Sequence, residues 1–203
     1  MDIIRPAKRS DYREAARLIY RSGPDVLDFL FSRDGKSPRM FIEHSFKNGH
    51  SFFSPRSHYV VEGEAGSLVA LGSFYGWLDH KIMAVAFIYD VATFYRFRTC
   101  LKILAHSLSI ELSRKPPGIF SLYVCNFASS RSAIGRGLAT HLFNYVVARR
   151  KYRRIRQYLC DVATDNRRAI ELHERTGFRV KYSVRFKDRS VKPIFRMSMP
   201  VKA

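Results

Sequence analysis

The spacing of apolar and polar residues predicts three strands and three helices in the first part of the chain. Strands are expected where the two kinds alternate, and helices where apolar residues recur every three or four positions. Ser10 is a predicted N-cap, with Asp11 and Glu14 in the first turn, where carboxylates favour the helix dipole. The predicted strands are residues 2–5, 59–61 and 68–74, and the predicted helices run from Ser10 to near Gly23, over 25–31 and over 38–46.

The second part of the chain predicts inserted helices followed by alternating strands and helices. Residues 77–114 carry apolar residues at helical spacing and end at Pro116-Pro117-Gly118, which predicts two helices inserted before the next strand. Further strands are expected at 119–128, 155–163, 180–186 and 193–199, and further helices at 138–149 and 166–175, with Gly177 as a left-handed stop. This alternation favours an α/β fold with a parallel strand pair, and the last two strands are predicted to pair antiparallel.

Length and composition favour a single globular domain with an insertion. The chain has 203 residues, and a hydrophobic content of 46% excludes wholesale disorder. Cys100, Cys125 and Cys160 are odd in number and widely spaced, so neither a disulfide framework nor a zinc site is predicted. No secretory signal is evident at the start, and the longest apolar stretch, residues 82–95, is too short to span a bilayer. We therefore expect a cytoplasmic protein with no metal.

The charge of the chain is strongly positive. There are 36 Lys and Arg against 17 Asp and Glu, a net charge of +19, and residues 131–203 alone hold 19 basic and 5 acidic residues. The densest basic run is 149–156. Such a surface attracts polyanions, but a solvated helix end or plain solubility would account for it equally well. Charge alone leaves open a phosphate-rich cofactor, a nucleic acid or an anionic membrane surface.

A glycine-rich turn joins a predicted strand to a predicted helix, with the sequence Ile134-Gly135-Arg136-Gly137-Leu138-Ala139. Glycines there allow successive backbone N–H groups to face one concavity, and the helix N-terminus adds about half a positive charge. The pattern is typical of a pyrophosphate site and also of tight packing alone. It lacks the third glycine of the dinucleotide fingerprint and the Gly-Lys-Ser/Thr of a P-loop.

A second motif follows on the next predicted helix. From Asn166 to Phe178 the chain has the pattern Asn-x-x-Ala-x-x-Leu-x-Glu-x-x-Gly-Phe. Together with the glycine turn and the strand before it, this segment resembles the GNAT superfamily of N-acetyltransferases over roughly residues 121–185. The start of the chain, Ile4-Arg5-Pro6-Ala7, also resembles the first strand of that family. The resemblance implies one acetyltransferase domain over 1–203, with a helical insertion at 77–114 and an acyl-CoA-binding core at 121–185. It also implies a twisted mixed sheet that splays between its fourth and fifth strands.

The resemblance implies that acetyl-CoA is the cosubstrate and lies in this split. Its pantetheine would pair with the fourth strand, its pyrophosphate would bind the amides of the glycine turn, and the next helix would border the thioester arm. Arg131, Arg136 and Arg168 are either partners of the phosphates or solvated loop residues. The implied cofactor-binding residues are Phe127, Ala128, Ser129, Ile134, Gly135, Arg136, Gly137, Leu138, Ala139, Asn166 and Ala169.

The resemblance also implies catalytic positions. His173 stands where the family usually has the tyrosine that protonates the departing thiolate, and histidine can do the same work. Tyr123 stands where histone-acetylating relatives have a glutamate base, so it is either a relay through water or core packing. Asn126 is a candidate acceptor ligand, Cys125 is expected to be buried, and Ile134 replaces the usual Arg or Gln of the family.

The sequence therefore predicts an N-acetyltransferase that transfers an acetyl group from acetyl-CoA to a primary amine by direct attack. The acceptor is not identified, and its choice is expected to depend on the helices before the second strand and on the insertion at 77–114. Contact with a polyanion would use the basic run 149–156. Two other hypotheses stay open: a catalytically silent acyl-CoA sensor, and a basic protein that binds nucleic acid or an anionic surface.

Overall fold

A computed structural model describes residues 2–149 and 154–201, which form seven strands and seven α-helices. The strands are β1 (Ile3–Pro6), β2 (His58–Glu62), β3 (Leu68–Tyr75), β4 (Ser121–Ser129), β5 (Gln157–Ala163), β6 (Arg179–Val184) and β7 (Ile194–Pro200). The helices are α1 (Tyr12–Ser22), α2 (Pro24–Phe31), α3 (Pro38–Asn48), α4 (Trp77–Phe94), α5 (Phe97–Arg114), α6 (Leu138–Arg149) and α7 (Arg167–Thr176). Within the basic run 149–156, residues 150–153 lie outside the described residues.

The strands form one mixed sheet in the order β1-β2-β3-β4-β5-β7-β6. Every neighbouring pair is antiparallel except β4 and β5, which are parallel. The predicted α/β class, the parallel pair and the antiparallel last pair are confirmed, and most predicted element ends lie within two residues of the observed ones. Helices α4 and α5 lie between the third and fourth strands of the chain, where the helical insertion was predicted.

The first helix begins later than predicted, and the N-cap prediction for Ser10 is wrong. A short 3₁₀ turn over Arg9–Asp11 precedes α1, which begins at Tyr12. The Asp11 carboxylate accepts a hydrogen bond from the Lys8 amide at 2.7 Å and two from the Arg5 guanidinium at 2.8 and 3.0 Å. This carboxylate closes the 3₁₀ turn that precedes α1, and Ser10 lies within that turn, so Ser10 is not the N-cap of the helix.

Strand β4 leaves β5 after only three paired residues, 121–123. Further along, β4 follows β3 with a shift in register opposite Gly72. The shift accompanies Asn126, whose φ of +56° marks a bulge in the strand. A Cβ at Gly72 would lie 2.6 Å from the ring of Phe127, so glycine is required for the close approach. The bulge places Phe127 on the same face as Val124, and the sheet opens between β4 and β5.

Helices cover both faces of the sheet. On one face, α1 to α5 enclose an aromatic core in which Phe31 and Phe41 stack with ring centroids 4.4 Å apart. On the other face, α6 packs against β2, β3 and β4, and its Leu142 and Val146 share a core with Phe178, which follows α7. The opening between β4 and β5 therefore lies beside α6 and α7. None of the helices described in the structure is long and apolar enough to cross a membrane.

Candidate active site

A groove of about 540 Å³ follows the part of β4 that has separated from β5. It continues along the glycine turn to α6 and α7 and is also lined by the end of α1, so five parts of the chain meet there. The predicted cofactor residues that line it are Phe127, Ala128, Ser129, Ile134, Gly135, Gly137, Leu138, Ala139, Asn166 and Ala169. His173 lines the same groove, so nearly the whole predicted set comes together around one space.

The glycine turn offers backbone N–H groups to this groove. Gly135 and Gly137 have left-handed φ values of +87° and +72°, and a Cβ on either would project into open space, so the backbone conformation is what requires glycine. The first intrahelical hydrogen bond runs from the His141 amide to the Gly137 carbonyl at 3.0 Å. The amides of residues 138–140 precede it and therefore have no partner within the helix. Such amides at a helix N-terminus suit an anionic phosphate, so the residues present fit the pyrophosphate of CoA.

The arginines around the groove differ from the predicted ones. Arg168 lines the groove as predicted, whereas the Arg136 guanidinium pairs with Asp2 at 2.7 Å. The Arg136 amide donates to the carbonyl of Ala133 at 3.4 Å, so both its guanidinium and its amide already have partners. Arg21 of α1 and Arg175 of α7 also line the groove and were missed in the sequence. Neither occupies a defined position of a motif, and Arg21 reaches the groove only because α1 packs beside β4.

Asn166 and His173 are both held by bonds within α7. Asn166 is the N-cap, and its Oδ1 accepts a hydrogen bond from the Ala169 amide at 3.1 Å. The Nδ1 of His173 lies 2.7 Å from the carbonyl of Ala169, which can only accept, so the ring proton is on Nδ1. Burial lowers the pKa of His173. The neutral ring has no proton on Nε2, so donation to a leaving thiolate would require a second proton.

Tyr123 belongs to a buried ion-pair network. Its hydroxyl donates to Asp161 Oδ2 at 2.6 Å, and Asp161 also pairs with the guanidinium of Arg196. Arg196 in turn donates to the carbonyl of Arg114 at 2.7 Å. Burial and the nearby Asp161 carboxylate raise the pKa of Tyr123 well above its ordinary value. With its proton committed to Asp161, Tyr123 ties β4 to β5 and β7, which favours the packing interpretation over the relay.

Asn126, the candidate acceptor ligand, lies at the bulge and is anchored by a buried histidine. Its Nδ2 donates to His58 Nε2 at 3.2 Å, while His58 Nδ1 donates to the carbonyl of Ser54 at 2.7 Å. Burial, opposed by the bond to Ser54, lowers the pKa of His58 to about 4. His58 is therefore neutral near pH 7, and its lone pair on Nε2 holds Asn126 in place.

A second cavity of about 430 Å³ lies on the other side of β4, beneath α2, α4 and α5. Asn126 lines this cavity and the next residue, Phe127, lines the groove, so the two spaces lie on either side of the bulge. Most of the lining is apolar. The polar residues in it are Tyr75, His80, Ser107, Glu111, Arg114, Tyr123, Cys125 and Asn126.

His80 and Glu111 form a pair that sequence reasoning missed. His80 Nε2 lies 2.8 Å from Glu111 Oε1, and Glu111 Oε2 accepts from the Arg114 guanidinium at 2.8 and 2.9 Å. Burial raises the pKa of Glu111, but its pairing with His80 and Arg114 outweighs that effect and lowers the pKa to about 2. The two residues lie on different inserted helices, so no local spacing relates them.

No group of three or more His, Cys, Asp or Glu side chains comes together as a metal site within residues 2–149 and 154–201.

Comparison with known proteins bears on this arrangement. Residues 109–178 match the model of a family described as Acetyltransferase (GNAT) family, and this segment contains both sequence motifs. An N-acetyltransferase from Staphylococcus aureus Mu50 has a similar structure, with a TM-score of 0.73 and 16% identity over 97% of this chain and 100% of that one. This chain has the GNAT fold. The resemblance found in the sequence is thereby confirmed.

Other solved structures share the GNAT fold with this chain. Ard1 from Thermoplasma volcanium has a TM-score of 0.59 and 15% identity, covering 100% of this chain and 99% of that one. The ribosomal-protein-S18-alanine N-acetyltransferase from Escherichia coli has a TM-score of 0.56 and 13% identity, covering 100% and 96%. At these identities the likeness establishes the fold alone. No curated protein sequence matches the chain significantly.

Proposed function

We propose that this GNAT protein is an N-acetyltransferase that uses acetyl-CoA and acetylates a primary amine by direct attack. The observation that carries the proposal is the bulged part of β4, which has the glycine-turn groove on one side and the second cavity on the other. A thioester held along β4 and an amine held in the cavity would meet at the bulge. Holding two reactants at one point in this way is a large part of how an enzyme accelerates their reaction.

In this proposal the glycine turn and α6 bind the cosubstrate, which supplies an activated acetyl group when bound. The amides of Gly135 and of residues 137–139 hold the pyrophosphate, and Arg168, Arg21 and Arg175 add positive charge around it. The backbone of residues 127–129 pairs with the pantetheine. Amides at the bulge, displaced from the regular ladder, stabilise the negative charge that develops on the thioester oxygen.

A turnover assay tests the proposal directly. The protein is incubated with acetyl-CoA and a panel of primary amines, and thiol release is measured together with the mass of the acetylated acceptor. We expect release that depends on the amine and a gain of one acetyl group. Calorimetric binding of acetyl-CoA without turnover on any amine would favour the sensor hypothesis instead, and absence of binding would refute both.

We also propose His173 as the proton donor to the leaving thiolate, because it lines the groove one helical turn beyond Ala169. Donation requires the doubly protonated ring. Because burial lowers the pKa of His173, that form is scarce at pH 8 and becomes more abundant toward pH 6. His173→Ala should therefore lower the single-turnover rate by roughly 10²-fold, with the larger loss at pH 6 than at pH 8, while acetyl-CoA affinity changes little. His173→Tyr should recover part of the rate.

The exposed His141 of α6 provides the matched control, since His141→Ala removes a histidine without altering the groove lining. A His173→Ala variant that keeps the wild-type rate at both pH values would assign the proton to water or another side chain. The polyanion hypothesis depends on the basic run 149–156. Residues 150–153 of that run lie outside the described residues, so the structure adds no support for it.

A further inference from the structure

We infer that the 430 Å³ cavity beneath α2, α4 and α5 is the acceptor site, that it takes a primary amine on a small apolar body, and that His80 removes the amine proton. The inference rests on the proposed acetyltransferase function and adds to it a substrate class and a general base. Its supports are the apolar walls of the cavity, four buried polar atoms in its lining that make no hydrogen bond, and the close approach of His80 to Glu111.

The walls of the cavity define the body of the acceptor. Apolar side chains come from three helices, with Leu30 on α2, Phe87 on α4 and Leu104 on α5, and Phe52 adds an aromatic ring from the segment before β2. The volume falls within the range of about 300–1,000 Å³ that is usual for small-molecule sites. A charged or strongly polar body would lose hydration against these walls without regaining hydrogen bonds. A compact ring or branched alkyl group fits them better.

Two buried polar atoms mark where the amine lies. His80 Nδ1 and Ser107 Oγ are buried and have no hydrogen-bond partner among the described residues. Both residues line the same cavity. Buried polar atoms in folded proteins are nearly always paired, because an unpaired one costs roughly 1–3 kcal/mol. An amine head donates hydrogen bonds, and both atoms can accept one.

The His80–Glu111 pair has the arrangement of a general base and its orienting group. His80 is only 4% exposed, and its Nε2 lies 2.8 Å from Glu111 Oε1, a charge contact whose angles do not make a hydrogen bond. A carboxylate at that distance favours the ring proton on Nε2, which leaves the lone pair on Nδ1. Arg114 holds the other oxygen of Glu111 and keeps that carboxylate ionised. Glu111 is thus a positioning residue, and it stabilises the imidazolium that forms when His80 takes a proton.

The pair shares its cavity with the bulged part of β4. The ring of His80 is 5.9 Å from that of Tyr75 on β3, and the ring of Tyr75 is 5.2 Å from that of Tyr123 on β4. Cys125 and Asn126, the residues at the bulge, line the same cavity. Tyr123 itself is committed to Asp161, so the inserted helices supply the base that β4 does not carry.

The proton balance of the reaction follows from this placement. The acceptor enters as an ammonium ion, and His80 Nδ1 takes one proton from it. The neutral nitrogen attacks the thioester carbonyl, and the carbon–nitrogen bond forms as the carbon–sulfur bond breaks. His173 gives a proton to the leaving sulfur and regains one from solvent, while the second nitrogen-bound proton and the proton on His80 are released to solvent. The products are an N-acetyl amide and CoA thiol.

Two acceptors of equal ring size test the role of His80. Cyclohexylamine is protonated at pH 7 and needs a base, whereas aniline is neutral there and does not. We expect His80→Gln to lower kcat/KM for cyclohexylamine by roughly 10²-fold and for aniline by less than about threefold. Glu111→Gln should give a smaller loss with the same preference. Because both acceptors are measured on the same sample, the ratio does not depend on the fraction of folded protein.

The control variant is His106→Gln on α5, a half-buried histidine that packs edge-on to Phe29 outside the cavity lining. It should leave both rates unchanged, and acetyl-CoA affinity measured by calorimetry should be the same in all variants. Equal losses on both acceptors in His80→Gln, or no loss, would overturn the role of the base. A wild-type protein that acetylates polyamines or lysine peptides but neither ring amine would overturn the inference and leave the proposed function standing. A protein that acetylates no amine would overturn both.

Discussion

The buried histidine behind the β4 bulge makes the stability of this protein depend on pH in a calculable way. His58 is fully buried on β2, donates to Ser54 and accepts from Asn126, and has its pKa lowered by burial to about 4. In the unfolded chain its pKa returns to about 6.5. Below pH 6.5 the unfolded chain therefore binds a proton that the native state does not. The free energy of unfolding must fall as the pH drops from about 6.5 to about 4, and this contribution levels off below that.

The magnitude follows from the two pKa values. A change from 6.5 to about 4 corresponds to about 3 kcal/mol of unfolding free energy. That is a large part of the ~5–15 kcal/mol that stabilises an ordinary domain. Burial also lowers the pKa of His44 and His173, so the total fall in the wild type is steeper than the His58 contribution. A variant at position 58 is needed to isolate it.

Urea unfolding at pH 7 and pH 4, followed by circular dichroism, measures this contribution in the wild type and in His58→Gln. The variant has a packing cost at both pH values, but it carries no titrating ring. The stability advantage of the wild type over the variant should therefore shrink by about 3 kcal/mol between pH 7 and pH 4. His141→Gln, at an exposed position of α6, should keep the wild-type pH profile. An equal fall in His58→Gln and wild type would refute the assignment of a buried neutral histidine.

Three further outcomes are expected. Gly137→Val should weaken acetyl-CoA binding at least tenfold, or ~1.4 kcal/mol by calorimetry, while Gly35→Val, equally left-handed at φ +70° but outside the groove, should keep the affinity. Tyr123→Phe should lower the unfolding free energy by roughly 1.5–3 kcal/mol, because Asp161 loses a 2.6 Å hydrogen bond, and unchanged urea stability would contradict the network. Deletion of residues 77–114 should expose apolar surface and cause aggregation on size-exclusion chromatography, so a soluble variant that unfolds cooperatively would argue against a dependent insertion.

The sequence alone determined those features that depend on near neighbours in the chain. The order of strands and helices followed from apolar spacing, because a period of 2 or 3.6 residues is a local property of the backbone. The glycine turn and the Asn166 cap are equally local, since each satisfies amides only a few positions away. Both motifs could therefore be located, and the GNAT fold inferred, from the order of the residues. The prediction for Ser10 was wrong because a 3₁₀ turn, closed by the Asp11 carboxylate on the Lys8 amide, places Ser10 before the start of α1.

The tertiary structure decided what joins distant parts of the chain. The bulge at Asn126 depends on the close approach of Phe127 to Gly72, and on a histidine 68 residues away in sequence. Packing of α4 against α5 brought His80 to Glu111, and the β4–β5 pairing brought Tyr123 to Asp161. No spacing rule relates such residues, because their contact exists only after the helices have packed on the sheet. Buried charges and histidines then take their partners, and therefore their pKa values, from whatever the packing places beside them.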